Sequence, residues 1–257
     1  MKLSSLVLLF SCCWILSSCT ATPEETGVHE KTGAYEEQGS FEKTEFQASS
    51  GRVISYLMME PAEMNSGEQY PLVLALHGIG GRGQEDWEKN CYANAVLAEP
   101  AMREKHPCFV IAPTVGPQEN WSGEPLLDVF DLIDALKEDL PVDPERVYVT
   151  GQSMGGFGTF QALMERPKLF AAAVPVCGGN DPARAGLISA IPLWAFHGTE
   201  DTLVPVTGSR EMIAALREAG GEPKYTELPG VGHGAWGPAY DSAALWTWMF
   251  SQRRTKP

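Results

Sequence analysis

Gly151-Gln152-Ser153-Met154-Gly155 is the pentapeptide around which the rest of the chain can be interpreted. The β-branched and aromatic run from Arg146 to Thr150 precedes it and predicts a buried strand. The stretch from Gly156 to Arg166 follows it and predicts a helix that ends before Pro167. A serine at such a strand-to-helix turn, with glycine two residues before and two after, is typical of a nucleophile elbow. We therefore predict that Ser153 is a nucleophile; the alternative is a glycine-rich turn with an incidental serine.

A second glycine-rich segment, His77-Gly78-Ile79-Gly80-Gly81-Arg82-Gly83, follows the continuous apolar strand predicted from Tyr70 to Leu76. Its spelling also matches a dinucleotide site, but the next predicted strand, from Cys108 to Ala112, is followed by Pro113 and offers no acidic residue for a ribose. Glycines let the backbone approach a substrate carbonyl and direct N–H groups at it. We predict an oxyanion hole made by the backbone N–H groups of Ile79 and Met154, with Gly80 as the alternative first donor. A plain glycine turn is the remaining interpretation.

Two further residues, an acid and a histidine, complete a candidate catalytic triad with Ser153. Asp201 lies just past a predicted strand, in His197-Gly198-Thr199-Glu200-Asp201, and His233 lies in a loop after the last predicted strand. The chain order serine, acid, histidine is that of α/β-hydrolases and differs from that of chymotrypsin and subtilisin. Serine is a poor nucleophile at its free pKa, so we expect His233 to take its proton and Asp201 to orient the imidazole. Glu200 and Asp181 are the competing acids, and His77 and His197 are interpreted as structural.

Strands alternate with helical segments along most of the chain, which indicates an α/β fold with a mostly parallel sheet and helices on both faces. The runs from Phe41 to Gln47 and from Arg52 to Met59 predict two strands joined at Ser49-Ser50-Gly51, as an antiparallel edge. One helix is predicted over about 90–105. The segment from Gly179 to Ile191 is too short to hold a lid domain.

With these motifs in place, the chain resembles serine esterases of the α/β-hydrolase superfamily. It is similar to the secreted group labelled predicted peptidases, which adjoins feruloyl esterases, acetylxylan esterases and polyhydroxybutyrate depolymerases. The resemblance covers nearly all of residues 50–250 and implies an α/β-hydrolase fold without a large lid. In these relatives an aromatic residue commonly follows the catalytic histidine, as Trp236 does here, and Trp121 lies in a loop near the site.

The N-terminal residues predict a targeting segment rather than part of the fold. Lys2 is followed by an apolar stretch from Leu3 to Leu16, and Leu16-Ser17-Ser18-Cys19 resembles a bacterial lipobox. We expect a lipoprotein signal peptide at residues 1–18, a flexible polar tether at 19–40 beginning with lipidated Cys19, and a catalytic domain at 41–257. An ordinary secretory signal is the alternative. The expected location is extracytoplasmic, with the chain tethered to a bacterial membrane by lipid, at an outer membrane or cell surface.

Charge and cysteine content exclude several other functions. The chain has 19 Lys+Arg against 33 Asp+Glu and a net charge of −14, so it should repel nucleic acid. Beyond the N-terminal segment Cys91, Cys108 and Cys177 remain; one disulfide among them is conceivable, but the pair is not predictable. None of these cysteines has metal-ligand spacing, and we expect neither a metal nor another cofactor. The expected partner is a small or polymeric ester, with membrane contact through the lipid alone.

The sequence therefore predicts a serine ester hydrolase acting through an acyl-enzyme, on acyl decorations of polysaccharides or related extracytoplasmic esters. Trp121 and Trp236 are predicted to stack on sugar or phenolic rings, and core packing is the alternative for each, as it is for Trp87. Two other functions remain open: a serine peptidase of the prolyl-oligopeptidase type, and a non-catalytic binding lipoprotein.

Overall fold

Eight strands form one sheet in the computed structural model, which describes residues 41–84 and 91–254. The predicted signal peptide, the tether, Cys19 and Trp87 lie outside the described residues. The strands are β1 (Phe41–Gln47), β2 (Val53–Met59), β3 (Tyr70–Leu76), β4 (Phe109–Pro113), β5 (Val142–Gln152), β6 (Ala172–Val176), β7 (Trp194–Gly198) and β8 (Lys224–Leu228).

The strand order is β1-β2-β4-β3-β5-β6-β7-β8. β2 pairs antiparallel with both β1 and β4, and every other neighbouring pair is parallel. The predicted antiparallel edge hairpin is therefore confirmed, as is the mostly parallel α/β class. Because β3 to β8 are parallel, their carboxyl ends lie at one edge of the sheet, where ligands bind in such folds.

Helices cover both faces of the sheet. They are α1 (Tyr92–Leu97), α2 (Pro100–Lys105), α3 (Glu124–Asp139), α4 (Met154–Glu165), α5 (Thr207–Glu218), α6 (Trp236–Tyr240) and α7 (Ala243–Ser251), with short 3-10 turns at Ile79–Gly81 and Pro182–Leu187. Residues of α3, α4 and α5 pack into one apolar cluster, and residues of α1, α6 and α7 into a second.

The central strand β3 divides these two clusters by its alternation. Leu72, Leu74 and Leu76 belong to the cluster with α3, α4 and α5, whereas Val73 and Ala75 belong to the other. All five side chains are fully buried. A strand with both faces covered must be apolar throughout, which is why the sequence of β3 is a continuous apolar run rather than an alternating one.

Two local differences from the sequence prediction have clear physical causes. The single helix predicted over 90–105 is two helices, because Glu99 is extended (φ −60°, ψ 134°) before Pro100, which begins α2. The short helix α6 and the two 3-10 turns were not predicted, since segments of three to six residues carry too little periodicity. The segment 179–191 contains only the second 3-10 turn, so it holds no lid domain, as predicted.

None of the helices within residues 41–84 and 91–254 combines the length and apolar character needed to cross a membrane.

Candidate active site

Ser153 lies at the sharp turn between β5 and α4, as predicted. Its φ is +55° and its ψ −118°, a conformation that non-glycine residues rarely adopt. The strain is offset by tight packing around the turn: the Ser153 N–H donates to the Val176 carbonyl at 2.9 Å. A methyl group on Gly151 would collide with the Gly155 backbone, and one on Gly155 with the Leu76 carbonyl. The two glycines of the pentapeptide are therefore required because backbones touch there.

Asp201 follows β7 and is 8% exposed. Its Oδ1 accepts hydrogen bonds from the backbone N–H groups of Leu203 (3.0 Å) and Val204 (2.9 Å), and its Oδ2 lies 2.7 Å from His233 Nδ1. Burial alone would raise the pKa of Asp201. The hydrogen bonds from His233, Val204 and Leu203 outweigh that effect and hold the pKa below its usual value. Asp201 is thus ionised and accepts at both oxygens.

His233 joins Asp201 to Ser153. Its Nδ1 faces Asp201 Oδ2, and its Nε2 lies 2.8 Å from Ser153 Oγ. Because the Asp201 carboxylate accepts hydrogen bonds only, Nδ1 carries the proton in the neutral ring and Nε2 is free to accept the serine hydroxyl. A methyl group on Gly198, at the end of β7, would collide with the carbonyls of Val231 and Gly232. This glycine therefore lets the histidine loop approach the acid loop.

The competing acids do not reach the histidine. Asp181 Oδ1 accepts from the Ala183 N–H at 3.0 Å and caps the 3-10 turn of residues 182–187. Glu200 donates through its backbone N–H to the Val231 carbonyl, and its neighbour Asp201 is the residue that accepts the hydrogen bond from His233 Nδ1.

His197, interpreted from the sequence as structural, contacts the Asp201 carboxylate and the loop that follows it. Its side chain is fully buried, and its Nε2 lies 3.0 Å from the Val204 carbonyl and 3.3 Å from Asp201 Oδ2. Both are acceptors, so Nε2 carries a proton. Nδ1 lies 2.7 Å from Ser209 Oγ. Asp201 is therefore held by two imidazoles and two backbone N–H groups.

The two predicted oxyanion donors belong to the two segments that meet at Ser153. Met154 begins α4 and Ile79 begins the 3-10 turn, so neither backbone N–H has an acceptor within its own helix. Gly78 brings the two segments together: a Cβ on it would lie 3.6 Å from Ser153 Cβ and 3.5 Å from the Gln152 carbonyl. The N-terminus of α4 also adds its positive dipole end beside the serine.

His77 anchors the loop that carries Ile79. It is buried, with Nδ1 2.7 Å from the Gly78 carbonyl and Nε2 3.4 Å from the Val115 N–H, so the neutral ring donates on one side and accepts on the other. A Cβ on Gly81 would lie 2.6 Å from His77 Nδ1, which explains the glycine above the ring. Burial lowers the pKa of His77 to about 4.

This pKa predicts a loss of stability in mild acid. The unfolded chain binds a proton at His77 near pH 6.5, whereas the folded chain does so only near pH 4. Stability is therefore full above pH 6.5 and falls as the pH drops to 4, by about 3 kcal/mol for this group. We expect urea unfolding at pH 7 and pH 4.5 to show that the free energy of unfolding falls less in His77→Gln than in the wild type. His106→Gln is the control, because its lowered pKa comes from weaker burial; equal losses in wild type and His77→Gln would refute the assignment.

The serine opens onto a cavity of about 610 Å³. Three exposed apolar side chains line it: Ile79 (62% exposed), Phe157 (41%) and Leu203 (74%). The polar lining comes from Arg82, Asn120, Ser122, Gln161 and Asn180. Asn180 Nδ2 donates to Gln161 Oε1 at 3.1 Å, so this amide pair is fixed in orientation. The cavity has an apolar rim with a few polar groups, which suits a small organic ligand.

The two tryptophans predicted to contact substrate both lie beside the site, but their rings are largely occupied by protein contacts. Trp121 does line the cavity, but it is 2% exposed; its Nε1 donates to the His77 carbonyl at 2.9 Å and its ring packs on His77. Trp236 packs edge-on against the His233 ring, with centroids 5.1 Å apart, and lies outside the cavity lining. Stacking of either ring face on a sugar is therefore not supported. The exposed aromatic ring in the cavity is Phe157, one turn into α4.

The cysteines form no disulfide within the described residues: Cys91, Cys108 and Cys177 are buried and free. Cys177 was not predicted to lie near the site, yet its Sγ is within 4.8 Å of ligand atoms of Asp201 and His233. Such a trio can hold a metal in principle. Here Asp201 and His233 are already hydrogen-bonded to each other. Burial also raises the pKa of the Cys177 thiol to about 12, which disfavours the thiolate form that binds a metal.

Sequence reasoning missed the apolar rim and Cys177. Phe157 lies four residues after Ser153, and Leu203 lies two residues after Asp201. Their closeness in sequence to the two predicted catalytic residues could have indicated that they line the site. Cys177 offered none, because β6 and the histidine loop meet only in the folded sheet.

Comparisons with known proteins point to hydrolases. A family model described as the prolyl oligopeptidase family matches residues 117–195. The chain is 28% identical over 147 residues to the bifunctional acetylxylan esterase/xylanase XynS20E of Neocallimastix patriciarum, covering 56% of this chain and 21% of that protein. It is 25% identical over 185 residues to a "Probable feruloyl esterase C" of Aspergillus flavus, covering 69% of this chain and 66% of that protein.

The solved structure of a thermostable esterase is also similar. It superposes with a TM-score of 0.80 at 38% identity, covering 84% of this chain and 64% of the other. The chain thus spans about two thirds or less of the length of the proteins described here.

Proposed function

Since the chain has the fold of the α/β-hydrolase superfamily, we propose that it is a serine hydrolase that cleaves carboxylic esters through an acyl-enzyme. The observation that carries the proposal is the continuous hydrogen-bonded chain from Ser153 Oγ through His233 to Asp201, at 2.8 and 2.7 Å, beside an open cavity. Esterases among the similar proteins support the reaction class.

In the acylation half, Ser153 Oγ attacks the ester carbonyl carbon while His233 Nε2 takes the hydroxyl proton. The carbon–oxygen bond to the alcohol then breaks, and His233 returns the proton to the departing oxygen. In the second half, water attacks the acyl-serine, its proton passes to Nε2, and Ser153 leaves with that proton as the acid is released. Asp201 stabilises the charged imidazole at each stage.

The tetrahedral intermediates carry a negative oxygen, for which we propose the backbone N–H groups of Ile79 and Met154 as donors. Gly80 is the alternative to Ile79. The arrangement is supported by the free first N–H of each helix and by the close approach of Gly78 to Ser153.

A serine peptidase is the second candidate, favoured by the family match over residues 117–195. The same triad serves both reactions, but an amine is a poorer leaving group and must be protonated as it departs. Paired ester and anilide substrates with the same acyl group distinguish the two. We expect kcat/KM for the ester to exceed that for the anilide by a wider margin than in uncatalysed hydrolysis; a preference for the anilide would establish the peptidase.

For the substrate, we propose an acyl ester on a polysaccharide or a related large extracytoplasmic ester. The open cavity supports this, because segment 179–191 forms only a 3-10 turn and leaves Ser153 accessible to a bulky chain. The names of two similar proteins refer to acetylxylan and feruloyl esters. The apolar rim offers contact area for a ring or alkyl group, whereas the net charge of −14 disfavours strongly acidic glycans.

Kinetics on matched esters test this substrate class. We expect feruloyl or acetyl saccharides to be hydrolysed with a higher kcat/KM than p-nitrophenyl esters of the same acyl chain. Removing the exposed ring with Phe157→Ala should raise KM for feruloyl esters about tenfold, in line with the loss of a buried aromatic contact. Leu127→Ala is the control, since Leu127 is exposed outside the cavity. A preference for the simple esters that Phe157→Ala leaves unchanged would discard the saccharide proposal.

We further propose that Cys19 is lipidated and that the protein works outside the cytoplasm, bound to a membrane by that lipid. The support is the lipobox-like Leu16-Ser17-Ser18-Cys19 and the polar segment that follows it.

In a bacterial host, Cys19→Ser should release or mislocalise the protein, while a fragment beginning near residue 40 keeps its esterase activity. Metabolic labelling with radioactive palmitate checks this, with Cys91→Ser as the control cysteine. An unlabelled wild-type protein would refute the anchor.

A further inference from the structure

Cys177 has one of the two strained non-glycine backbones within the described residues. Its φ is +50°, and the only other positive φ among non-glycine residues of that part of the chain belongs to Ser153. Two glycines, Gly178 and Gly179, follow directly. Glycine adopts this region without steric cost, whereas a side chain there is strained and persists when its contacts compensate.

The Cys177 thiol lies beside His233 and Asp201, the proposed base and acid. Cys177 Sγ lies 3.5 Å from the His233 backbone carbonyl, and within 4.8 Å of ligand atoms of both His233 and Asp201. The side chain is fully buried and is absent from the residues that line the cavity, so substrate does not touch it.

The thiol is the donor in this contact. Burial raises the pKa of Cys177 to about 12, so the sulfur keeps its proton at neutral pH. A backbone carbonyl only accepts, and the S–H group is a weak donor. The Cys177 backbone is itself fixed, because its N–H donates to the Phe196 carbonyl at 2.9 Å. The thiol thus ties the histidine loop to the carboxyl ends of β6 and β7.

We propose that Cys177 is a positioning residue, whose thiol holds the backbone of His233 and packs against Asp201 so that the imidazole stays directed at Ser153. This inference rests on the proposed function. A histidine that shifts relative to the serine hydroxyl slows proton transfer without altering the cavity in which substrate binds. The expected signature is a loss in kcat with KM preserved.

The test compares three substitutions at this position with a matched control. Cys177→Ala removes the donor, Cys177→Gly also relieves the backbone strain, and Cys177→Ser restores a donor of similar size. Cys108→Ala removes the same thiol from another buried, free cysteine in the same apolar cluster. Ester hydrolysis, the rate of labelling by a fluorophosphonate, and Tm are measured for each.

We expect Cys177→Ala and Cys177→Gly to lower kcat and the labelling rate by between about tenfold and a hundredfold, with KM changed less than about twofold. Cys177→Ser should recover most of the loss, and Cys108→Ala should keep wild-type kcat whatever its Tm. Wild-type kcat in Cys177→Ala would overturn the proposal, as would a loss that Cys177→Ser fails to recover. Failure of the proposed function is a separate result, since the wild type itself would then neither hydrolyse esters nor react with the fluorophosphonate.

Discussion

Ser153→Ala is expected to lower kcat by about five to six orders of magnitude while leaving the fold intact. The hydroxyl is the atom that forms the acyl bond, and its one side-chain hydrogen bond is to His233 Nε2 at 2.8 Å. Removing it deletes the nucleophile but leaves no buried polar group isolated, because His233 is still partly exposed to the cavity. Steady-state ester hydrolysis and thermal unfolding measure the two parts of this expectation.

His233→Ala should lose nearly as much, since nucleophile and base act as a unit and the two losses do not add. The control is Ser189→Ala, a hydroxyl outside the cavity that should retain full activity. A Ser153→Ala protein that is folded and still hydrolyses esters at a tenth of the wild-type rate would exclude the serine mechanism.

Asp201→Asn is expected to lower kcat by about 10⁴-fold. Asp201 Oδ1 accepts two backbone N–H groups, so the asparagine oxygen should remain there and its NH₂ group should replace Oδ2. That NH₂ faces His233 Nδ1, which must then become an acceptor, and the proton moves to Nε2 opposite the serine hydroxyl. The imidazole in this tautomer cannot take the serine proton.

The same NH₂ group would also face the Nε2–H of His197, so we expect a lower Tm in addition to the lower kcat. The matched control is Asp181→Asn, which changes an exposed capping aspartate and should keep near-wild-type kcat. The opposite pattern, with Asp181→Asn inactive and Asp201→Asn active, would move the acid to Asp181.

Local backbone chemistry made the elbow and the sheet predictable from sequence. The turn at Ser153 depends on Gly151 and Gly155, whose closeness to neighbouring backbone leaves no choice of residue. The strand β3 is covered on both faces and must be apolar. Ser153, Asp201 and His233 follow β5, β7 and β8 in that order. Because these strands are parallel, the loops after them lie at the same edge of the sheet.

Packing between distant segments was not predictable in the same way. Trp121 was expected to face substrate, but the fold closes Gly158 of α4 against its ring and leaves it 2% exposed. Leu203 was a plain loop residue in the sequence, whereas in the fold its N–H donates to Asp201 and its side chain lines the cavity. Cys177 reaches His233 across 56 residues of sequence, a contact that no local pattern encodes.

Active-site titration with a fluorophosphonate, followed by peptide mass spectrometry, tests the nucleophile most directly. The reagent phosphonylates a serine that is activated by a neighbouring base and ignores ordinary hydroxyls. We predict one phosphonate per chain, located on the peptide that contains Ser153, with ester hydrolysis lost in proportion to labelling and no labelling of His233→Ala. An unlabelled wild-type protein, or one that is labelled at another residue while its esterase activity disappears, would contradict the assignment of Ser153 as the nucleophile.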